Sequence, residues 1–346
     1  MAKVRLIDVI DTVVYRDLQA EHRTELTAFF DSGVVQNNPL AVALANAPGH
    51  RGVLPYWLDL DASGEPNFST DTDNVATPDK VSQAIQETVK TQMNNGWATK
   101  DLALELQRGT DAMQHIKNRT AAFWDQIRQR RIIASTVGLY NANAAGNYTN
   151  AATGSPAGDM IHDIVGNAGA AGEFSRSAFV DTVATMGDRA SSLAAVLVHS
   201  AIYFTMVKND DIDYIVDSNG TFSIPTYMGK RVIVDDSSPA FVVGGNVEYI
   251  STVYGAAAFA YGEGTPEVPV EMDRDVQTGD GGGEDQLWER MTELIHPVGH
   301  TKTAAQLSVG NNLSENEADL RFAGNYQRTH RRKNVPIAFL RSRAAA

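Results

Sequence analysis

The sequence has no cysteine in its 346 residues. This absence excludes disulfide bonds, thiolate nucleophiles, and zinc or iron–sulfur centres held by cysteine. Long apolar runs are missing as well: the most apolar windows, LAAVLV at 193–198 and YGAAAFAY at 254–261, are far shorter than the ~20 residues that span a bilayer. Asp8, Asp11 and Asp17 interrupt the apolar positions of the N-terminus, so no secretory signal is expected there. The sequence therefore predicts a soluble protein without a membrane segment.

Positive charge is scarce except at the C-terminal end. The formal net charge is −13, and residues 321–346 carry seven basic residues and no acid, which leaves −20 on the rest of the chain. A body this acidic repels a phosphate backbone, so specific nucleic-acid binding would depend on the basic segment alone. The simpler interpretation is that this segment is a basic strand that pairs with acidic neighbours.

The composition is that of a folded protein, with 43% hydrophobic and 21% charged residues. At this length one core is near its size limit, so we expect two lobes, or one domain with long excursions. Residues 1–45 include an amphipathic helix with Val4, Ile7, Ile10 and Val14 about one turn apart, followed by turn-rich sequence. This segment has too little apolar surface for a core of its own and is interpreted as an extension.

A strand and a long exposed loop follow the extension. VLPYWLDL alternates, with Leu54, Tyr56, Leu58 and Leu60 on one side, and the polar stretch DASGEPNFSTDTDNVATPD predicts a protruding hairpin. The next segment, KVSQAIQETVKTQM, has apolar residues at helical spacing, which favours a helix over 80–93, although its threonine and valine content also allows a strand. NNG then predicts a turn, followed by a short helix that ends at Gly109.

One long helix is predicted from Asp111 to about Asn143. Apolar side chains form one stripe along this segment, and charged side chains lie off the stripe. At 1.5 Å per residue, such a helix is roughly 50 Å long. A helix of this length is a strut rather than an ordinary packing helix.

Residues 146–262 are expected to form a compact α/β lobe. The predicted elements are a helix from about Ser175 that stops at Gly187, the strand LAAVLV, a helix with Ser200 as its N-cap, and two strands across the Asn-Gly turn of YIVDSNGTFSIP. The remaining residues contain a flexible connector, DRDVQTGDGGGED, a short amphipathic segment, LWERMTELI, the turn HPVGH, and a closing strand, NVPIAFLR.

Two adjacent acids, Asp235 and Asp236, follow the apolar run VIV after a turn at Gly229. A doubly wound enzyme places metal-binding carboxylates at such a strand end, so a metal-dependent hydrolase that uses Asp235 and Asp236 is one interpretation. This enzyme would need further ligands from other strand ends, and the neighbouring runs offer only His199. A strand-end turn, in which the aspartates bond local backbone amides, is the stronger interpretation.

No other motif indicates catalysis or cofactor binding. HPVGH at 296–300 has the spacing of a zinc helix, but it contains Pro297 and Gly299 and lacks the glutamate of H-E-x-x-H. DRDVQTGDGGGED departs from a calcium loop at Gln277 and Thr278, and GDGGG lacks the lysine that ends a phosphate loop. There is no G-x-S-x-G motif. We therefore predict no catalytic residue, no metal site and no cofactor.

The order of these elements resembles the major capsid proteins of tailed bacteriophages, which have the Hong Kong 97-like fold. Each stretch alone is weak evidence for this family, and the order of the stretches along the chain is the specific signal. The stretches that carry the resemblance cover most of residues 96–342: GWATKDLALELQRGTDAMQHI, VLVHSAIYFTMVKND, YMGKRVIVDDSSP and HPVGHTKTAAQLSVGNNLSENEADLRFAGNYQRTHRRKNVPIAFL.

The resemblance implies an α+β fold in four parts. These are an N-terminal arm (1–45), an extended β-hairpin loop (46–100), a peripheral domain with a long spine helix (101–145 and 263–346), and an axial domain (146–262). The resemblance also overrules the helix over 80–93, because the family returns its extended loop as a strand there. The aspartates after RVIV would then begin a loop of the axial domain near the centre of a capsomer.

The function implied by the resemblance is that of a major capsid protein. Such a subunit is not an enzyme and assembles, as hexamers and pentamers, into the icosahedral shell around double-stranded phage DNA, which it encloses without sequence-specific binding. Scaffolding, portal and decoration proteins are expected as further partners, and assembly in the host bacterial cytoplasm as the route to the virion. The candidate inter-subunit contacts are Tyr56, Trp57, Asp235 and Asp236. The alternatives are an encapsulin-type nanocompartment shell protein of the same fold and the metal-dependent hydrolase.

Overall fold

A computed structural model gives the fold of the chain. It describes residues 29, 32–58, 60, 65–69, 71, 73, 75, 78, 80–102, 112–148, 157–216, 223–303 and 312–345. The predicted N-terminal helix, most of the short helix that ends at Gly109, and the Asn-Gly turn at 219–220 lie outside these residues.

The described α-helices are α1 (Pro39–Asn46), α2 (Ala112–Ala145), α3 (Arg176–Ala184) and α4 (Ser200–Lys208). The 34-residue α2 confirms the predicted long helix. Helix α3 begins after Ser175, close to its predicted start, and the Ser175 side chain accepts a hydrogen bond from the backbone N–H of Ala178. The predicted N-cap of α4 is wrong by one residue: His199 Nδ1 accepts the bond from Ala201 N, and Ser200 is the first helical residue.

The described strands are numbered in chain order: β1 (Val35–Asn37), β2 (Arg51–Trp57), β3 (Gln83–Val89), β4 (Thr91–Lys100), β5 (Ile161–Asp163), β6 (Leu193–Val198), β7 (Ile212–Val216), β8 (Ser223–Tyr227), β9 (Lys230–Val234), β10 (Ala240–Val243), β11 (Asn246–Gly255), β12 (Phe259–Gly264), β13 (Val270–Asp275), β14 (Glu284–Pro297), β15 (His300–Lys302), β16 (Tyr326–Arg328) and β17 (Ile337–Arg343).

A five-stranded sheet lies along α2. Its order is β1-β12-β14-β13, and β4 pairs with the other side of β14 over ten residues. The indole Nε1 of Trp124 on α2 donates to the Glu289 carboxylate of β14 at 2.8 Å, and the rings of Trp97 on β4 and Phe123 on α2 meet edge to face with centroids 5.3 Å apart. These contacts fix the helix against the sheet.

The second sheet has eight strands in the order β5-β17-β11-β6-β9-β8-β7, with β10 also paired to β11. Strands β6 and β9 pair in parallel, and the crossover connection between them contains α4, β7 and β8. The C-terminal strand β17, which the predicted division assigns to the peripheral domain, lies between β11 and β5 in this sheet. The boundaries of the four predicted parts stay a prediction.

Two smaller pairs complete the described sheets. Strands β2 and β3 form an antiparallel hairpin, in which Arg51 pairs with Val89 and Trp57 with Gln83. Strands β15 and β16 pair next to it, and β15 packs against β3. The hairpin therefore contacts the body of the subunit at β15, and its predicted protrusion stays a prediction.

The core is built from both sheets. One buried cluster joins Ile132, Ile133 and Leu139 of α2 to Tyr254 and Phe339 of the eight-stranded sheet. A second cluster fills the space between the other face of that sheet and helices α3 and α4, with Phe179, Ile202, Val196 and Leu340 among its members. Apolar burial on both faces explains the nearly continuous apolar runs of β6 and β17.

Two further sequence predictions of local structure are wrong. Residues 83–89 are the strand β3, as the family resemblance implies and helical spacing does not. The NNG segment lies inside β4 rather than in a turn, because Gly96 faces Trp288 across the sheet. A Cβ at Gly96 would stand 2.7 Å from the indole ring, so the glycine makes room for the tryptophan.

The amphipathic segment LWERMTELI is also part of a strand, the 14-residue β14, which pairs with neighbours on both sides. The neighbouring connector begins as strand β13 and turns between Val276 and Gly283. HPVGH is a turn, as predicted: β14 ends at Pro297 and β15 begins at His300.

Candidate functional site

Asp235 is an internal residue of the subunit. It follows β9, its exposed fraction is 7%, and its carboxylate accepts hydrogen bonds from the side chain of Gln129 on α2 and from Ser237 N at 2.7 Å. Its own backbone N–H donates to Val198 O at 3.1 Å. Asp235 thus ties the end of β9 to the long helix, and the predicted bonding of a local backbone amide is confirmed.

Asp236 points away from the core. Its carboxylate accepts a hydrogen bond from Ser200 N at 3.3 Å and lies 3.9 Å from His199 Nδ1. Hydrogen bonding from Ser200 lowers the pKa of the Asp236 carboxyl. Within the described residues, no group of three histidine, aspartate or glutamate side chains is placed to hold a metal ion. The aspartate pair is therefore divided between an internal contact and an exposed carboxylate at the start of α4.

The basic C-terminal segment pairs with acids of the same subunit. Arg328 makes two hydrogen bonds to Asp159, at 2.8 and 2.9 Å. Arg341 bridges Asp163, at 3.0 Å, and Glu248. This confirms the simpler interpretation of the basic segment, in which a basic strand neutralises acidic neighbours.

The contact between α2 and the five-stranded sheet contains a buried ion pair. Arg131 Nε lies 2.6 Å from Glu293 Oε1, and the other guanidinium nitrogens donate to Leu313 O at 2.7 Å and Thr91 Oγ1 at 3.0 Å. Burial raises the pKa of the Glu293 carboxyl, and the Arg131 charge opposes this rise. Sequence reasoning missed the pair, because its two members are 162 residues apart and neither belongs to a motif.

The β2–β3 hairpin combines an anchored base with an exposed apolar surface. Tyr56 packs against the ring of His330, with centroids 4.5 Å apart, and Gln86 is buried at the same place. Trp57, the next residue along β2, has an exposed fraction of 69%, and Ile85 on β3 is also exposed. The two predicted contact aromatics thus face opposite ways, Tyr56 toward the body and Trp57 toward solvent.

Other exposed apolar side chains lie at the edges of the two sheets. They form three groups: Val242, Val243 and Val247 on the β10–β11 hairpin, Phe204, Tyr214 and Ile215 on α4 and β7, and Val270 and Met272 on β13. Strands β7 and β13 end their sheets within the described residues. Among the described helices, none has both the length and the hydropathy of a membrane span.

Two sequence comparisons both match this chain to major capsid proteins. A family model described as Gp13-like, major capsid protein 13-like, matches residues 62–269. The major capsid protein of Bacillus phage SPP1 is 34% identical over 349 aligned positions, which cover all of this chain and all of that protein.

Solved phage capsids have the same fold at low sequence identity. The capsid of Ralstonia phage GP4 superposes with a TM-score of 0.57 at 9% identity, covering 97% of each chain. The cyanophage Pam1 capsid gives 0.54 at 10% identity, covering 97% of this chain and 98% of that one. The head of Helicobacter pylori bacteriophage KHP40 gives 0.52 at 12% identity, covering 97% and 96%. These likenesses support the Hong Kong 97-like fold.

Proposed function

Because the chain belongs to the family of major capsid protein 13-like proteins, we propose that its β2–β3 hairpin is the arm by which one subunit holds the next in a phage head. The chain is a major capsid protein of a tailed phage, and it forms the head shell. This role is structural and not enzymatic. The encapsulin alternative has no better support, since the full-length relative is a phage protein.

The observation that carries the proposal is the exposure of Trp57 on a two-stranded hairpin. An isolated hairpin is at best marginally stable in water, so a protruding one needs a surface to lie on. Trp57 and Ile85 present apolar area on the hairpin while Tyr56 and Gln86 hold its base. A large exposed aromatic is the residue type that most often dominates a protein interface. A second copy of the chain, which every shell position supplies, is the partner that fits.

We propose that the copies form hexamers and pentamers and enclose double-stranded DNA without specific contacts. The basic C-terminal segment is occupied by internal pairs such as Arg328 with Asp159, so it offers few free charges to a phosphate backbone. The acidic remainder of the chain repels DNA. Scaffolding, portal and decoration proteins are expected to join the shell, which assembles in the host cytoplasm.

Among the four predicted inter-subunit residues, we expect Trp57 and Asp236 to provide the contacts. Both side chains are exposed, whereas Asp235 is bonded to Gln129 and Tyr56 packs on His330. Asp235 and Tyr56 would then act indirectly, by holding the elements from which the contacts project.

The test is the assembly of two variants of the purified full chain. Trp57→Ser removes the anchor and is expected to lower the yield of shells at least tenfold, because an interface aromatic commonly contributes about 2 kcal/mol or more. Trp57→Phe keeps a ring and should retain most of the yield. Circular dichroism and the melting temperature should be unchanged in both, because the side chain touches little of its own subunit.

A loop-replacement variant separates the outer loop from the strand pair. Replacing residues 58–82 with a short Gly-Ser linker keeps β2 and β3 but removes the segment that connects them. We expect a folded subunit that sediments as monomers or small capsomers. Normal shells from this variant and from Trp57→Ser would show that the hairpin is not the arm.

A further inference from the structure

The side chain of Gln86 joins the hairpin to the body of the subunit. It projects from β3 and is buried between two histidines, His296 at the end of β14 and His330 after β16. His296 Nε2 lies 2.8 Å from Gln86 Oε1, and His330 Nδ1 lies 3.2 Å from Gln86 Nε2. Thr329 Oγ1 lies 3.2 Å from the same Nε2. One amide therefore bridges three side chains of the body.

The chemistry of these atoms fixes where the protons are. An amide oxygen only accepts, so His296 must carry its proton on Nε2 and donate it to Gln86. An amide nitrogen only donates, so the bond from Gln86 to His330 Nδ1 exists only while that nitrogen is unprotonated; Thr329 Oγ1, at 3.1 Å, is the other hydrogen-bond neighbour of His330 Nδ1. The complete bridge therefore requires a neutral His330, and burial keeps His296 neutral as well. The tyrosine contact adds to this arrangement, because His330 touches β2 through Tyr56 and β3 through Gln86.

Protonation of His330 conflicts with this pattern. A charged imidazole carries hydrogens on both nitrogens, so Nδ1–H could donate to Thr329 Oγ1 at 3.1 Å, but the Gln86 N–H that it accepted from would lose its acceptor. Turning the amide over would satisfy His330, but its nitrogen would then meet the donating Nε2 of His296. His296 could move its proton to Nδ1, yet that nitrogen has no hydrogen-bond partner within the described residues. Each arrangement leaves a buried donor without an acceptor, which weakens the bridge.

The surroundings also disfavour a positive charge. Burial lowers the pKa of His330, and burial, with the positive charge of Lys302, lowers the pKa of His296 to about 3. His300 and Lys302 are the other basic groups near His296, and His300 also lies near His330. The carboxylates of the adjoining elements are already paired: Glu293 with Arg131, Asp159 with Arg328, and Glu87 with Arg51.

We propose that Gln86, His296 and His330 form an acid-sensitive latch that holds the base of the β2–β3 hairpin against the body at neutral pH and releases it in acid. In the released hairpin His330 regains an ordinary pKa of about 6.5, above its value in the closed latch. Protons therefore favour release as the pH falls below about 6.5. A single proton changes the ratio of open to closed hairpins by up to about tenfold for each pH unit.

The latch lies within one subunit, so it can be tested without assembly. Because the chain has no cysteine, the full-length double variant Gln83→Cys and Ala144→Cys takes spin labels only at the hairpin and at the end of α2. We expect one narrow distance distribution at pH 7.5 by double electron–electron resonance. At pH 5.5 a second, open distribution should appear, with its ratio to the closed form raised about tenfold.

Three variants of the labelled chain identify the groups responsible. His330→Phe keeps a ring against Tyr56 but cannot titrate, and its distributions at the two pH values should be the same. His330→Asn serves the same purpose if the phenylalanine variant does not fold. Gln86→Leu removes the bridge, so the open distribution should be present at both pH values. His115→Phe, an exposed position on α2, is the matched control and should respond to pH like the parent.

Either of two results would overturn the latch. One is a parent distribution that does not change between pH 7.5 and 5.5, and the other is an unchanged pH response in His330→Phe. Circular dichroism at both pH values separates release from unfolding: loss of the α2 signal together with the distance change would show acid denaturation of the whole subunit instead of a local release.

Discussion

The side-chain amide of Gln129, in the middle of α2, donates a hydrogen bond to the carboxylate of Asp235 at the end of β9, a residue 106 positions further along the chain. This bond connects the helix that supports the five-stranded sheet with the strand end of the eight-stranded sheet. The neighbouring Asp236 makes no such internal contact and instead caps the start of α4 through Ser200 N. Two adjacent acids therefore have different structural roles.

Substitution of each aspartate by alanine separates these roles. Asp235→Ala leaves the buried Gln129 amide and Ser237 N without their acceptor, so we expect the free energy of unfolding to fall by about 1–3 kcal/mol. Asp236→Ala at an exposed position should change it by less than about 0.5 kcal/mol. Urea unfolding followed by circular dichroism measures both. Equal losses in the two variants would contradict the assignment of Asp235 as the internal contact.

Gly138 allows a close approach between α2 and the C-terminal part of the chain. A Cβ at this position would stand 2.2 Å from Leu320 O and 2.4 Å from Tyr326 Cε2. Gly138→Ala should therefore destabilise the protein by about 1–3 kcal/mol through overpacking, although alanine favours a helix by about 1 kcal/mol. Gly166→Ala, where nothing lies within 4 Å of the added Cβ, is the control and should be close to neutral. A stabilised Gly138→Ala variant would show that the contact is loose.

Lys302 provides a prediction about pH. Its Nζ is buried, lies 3.7 Å from the ring centroid of Tyr326, and has no hydrogen-bond partner within the described residues. Burial lowers the pKa of Lys302 to about 7. Lys302→Met should therefore raise the free energy of unfolding at pH 7 by about 1–3 kcal/mol, because it removes a poorly solvated amine.

The sign of the pH effect follows from linkage. Between about pH 7 and the ordinary lysine pKa of about 10.4, the unfolded chain binds the proton that the folded chain has lost, so the parent gains stability as the pH rises. The advantage of Lys302→Met should therefore shrink from pH 7 to pH 10. Lys117→Met, at an exposed position, should show no such trend. A methionine variant that is less stable than the parent at pH 7 would contradict this account.

The family and the long helix could be predicted from the sequence, because both depend on patterns that extend over many residues. Helix α2 has the length that its extended apolar pattern predicts, and the order of several loose stretches identified the capsid fold. The approximate start of α3 at Ser175 also followed from local sequence. These features do not depend on which distant segments meet.

Hydrophobic periodicity did not identify β3 as a strand, because the usual burial of apolar and exposure of polar side chains is reversed there. The polar Gln86 and Thr88 are buried against the body, while the apolar Ile85 is exposed. Buried polar side chains of this kind have partners far away in sequence, such as His296 and His330, which no local window includes. The exposed isoleucine fits a strand whose outer face is available to another molecule.

Hydrophobic periodicity did not predict strand β14 for a related reason. Its helix-facing positions include Glu289 and Glu293 as well as Leu287 and Met291, so the alternation of apolar residues is broken by two acids. Trp124 and Arg131 of α2 satisfy these carboxylates. Periodicity that counts every glutamate as an exposed residue assigns the wrong period to this segment.

The measurement that tests the central claim most directly is electron cryomicroscopy of the full chain, expressed alone and with a scaffolding protein. We expect closed shells or tubes built from hexamers and pentamers, in which the β2–β3 hairpin of each subunit lies across its neighbour with Trp57 in the contact. A monodisperse monomer under every condition, or shells in which Trp57 faces solvent, would contradict the claim.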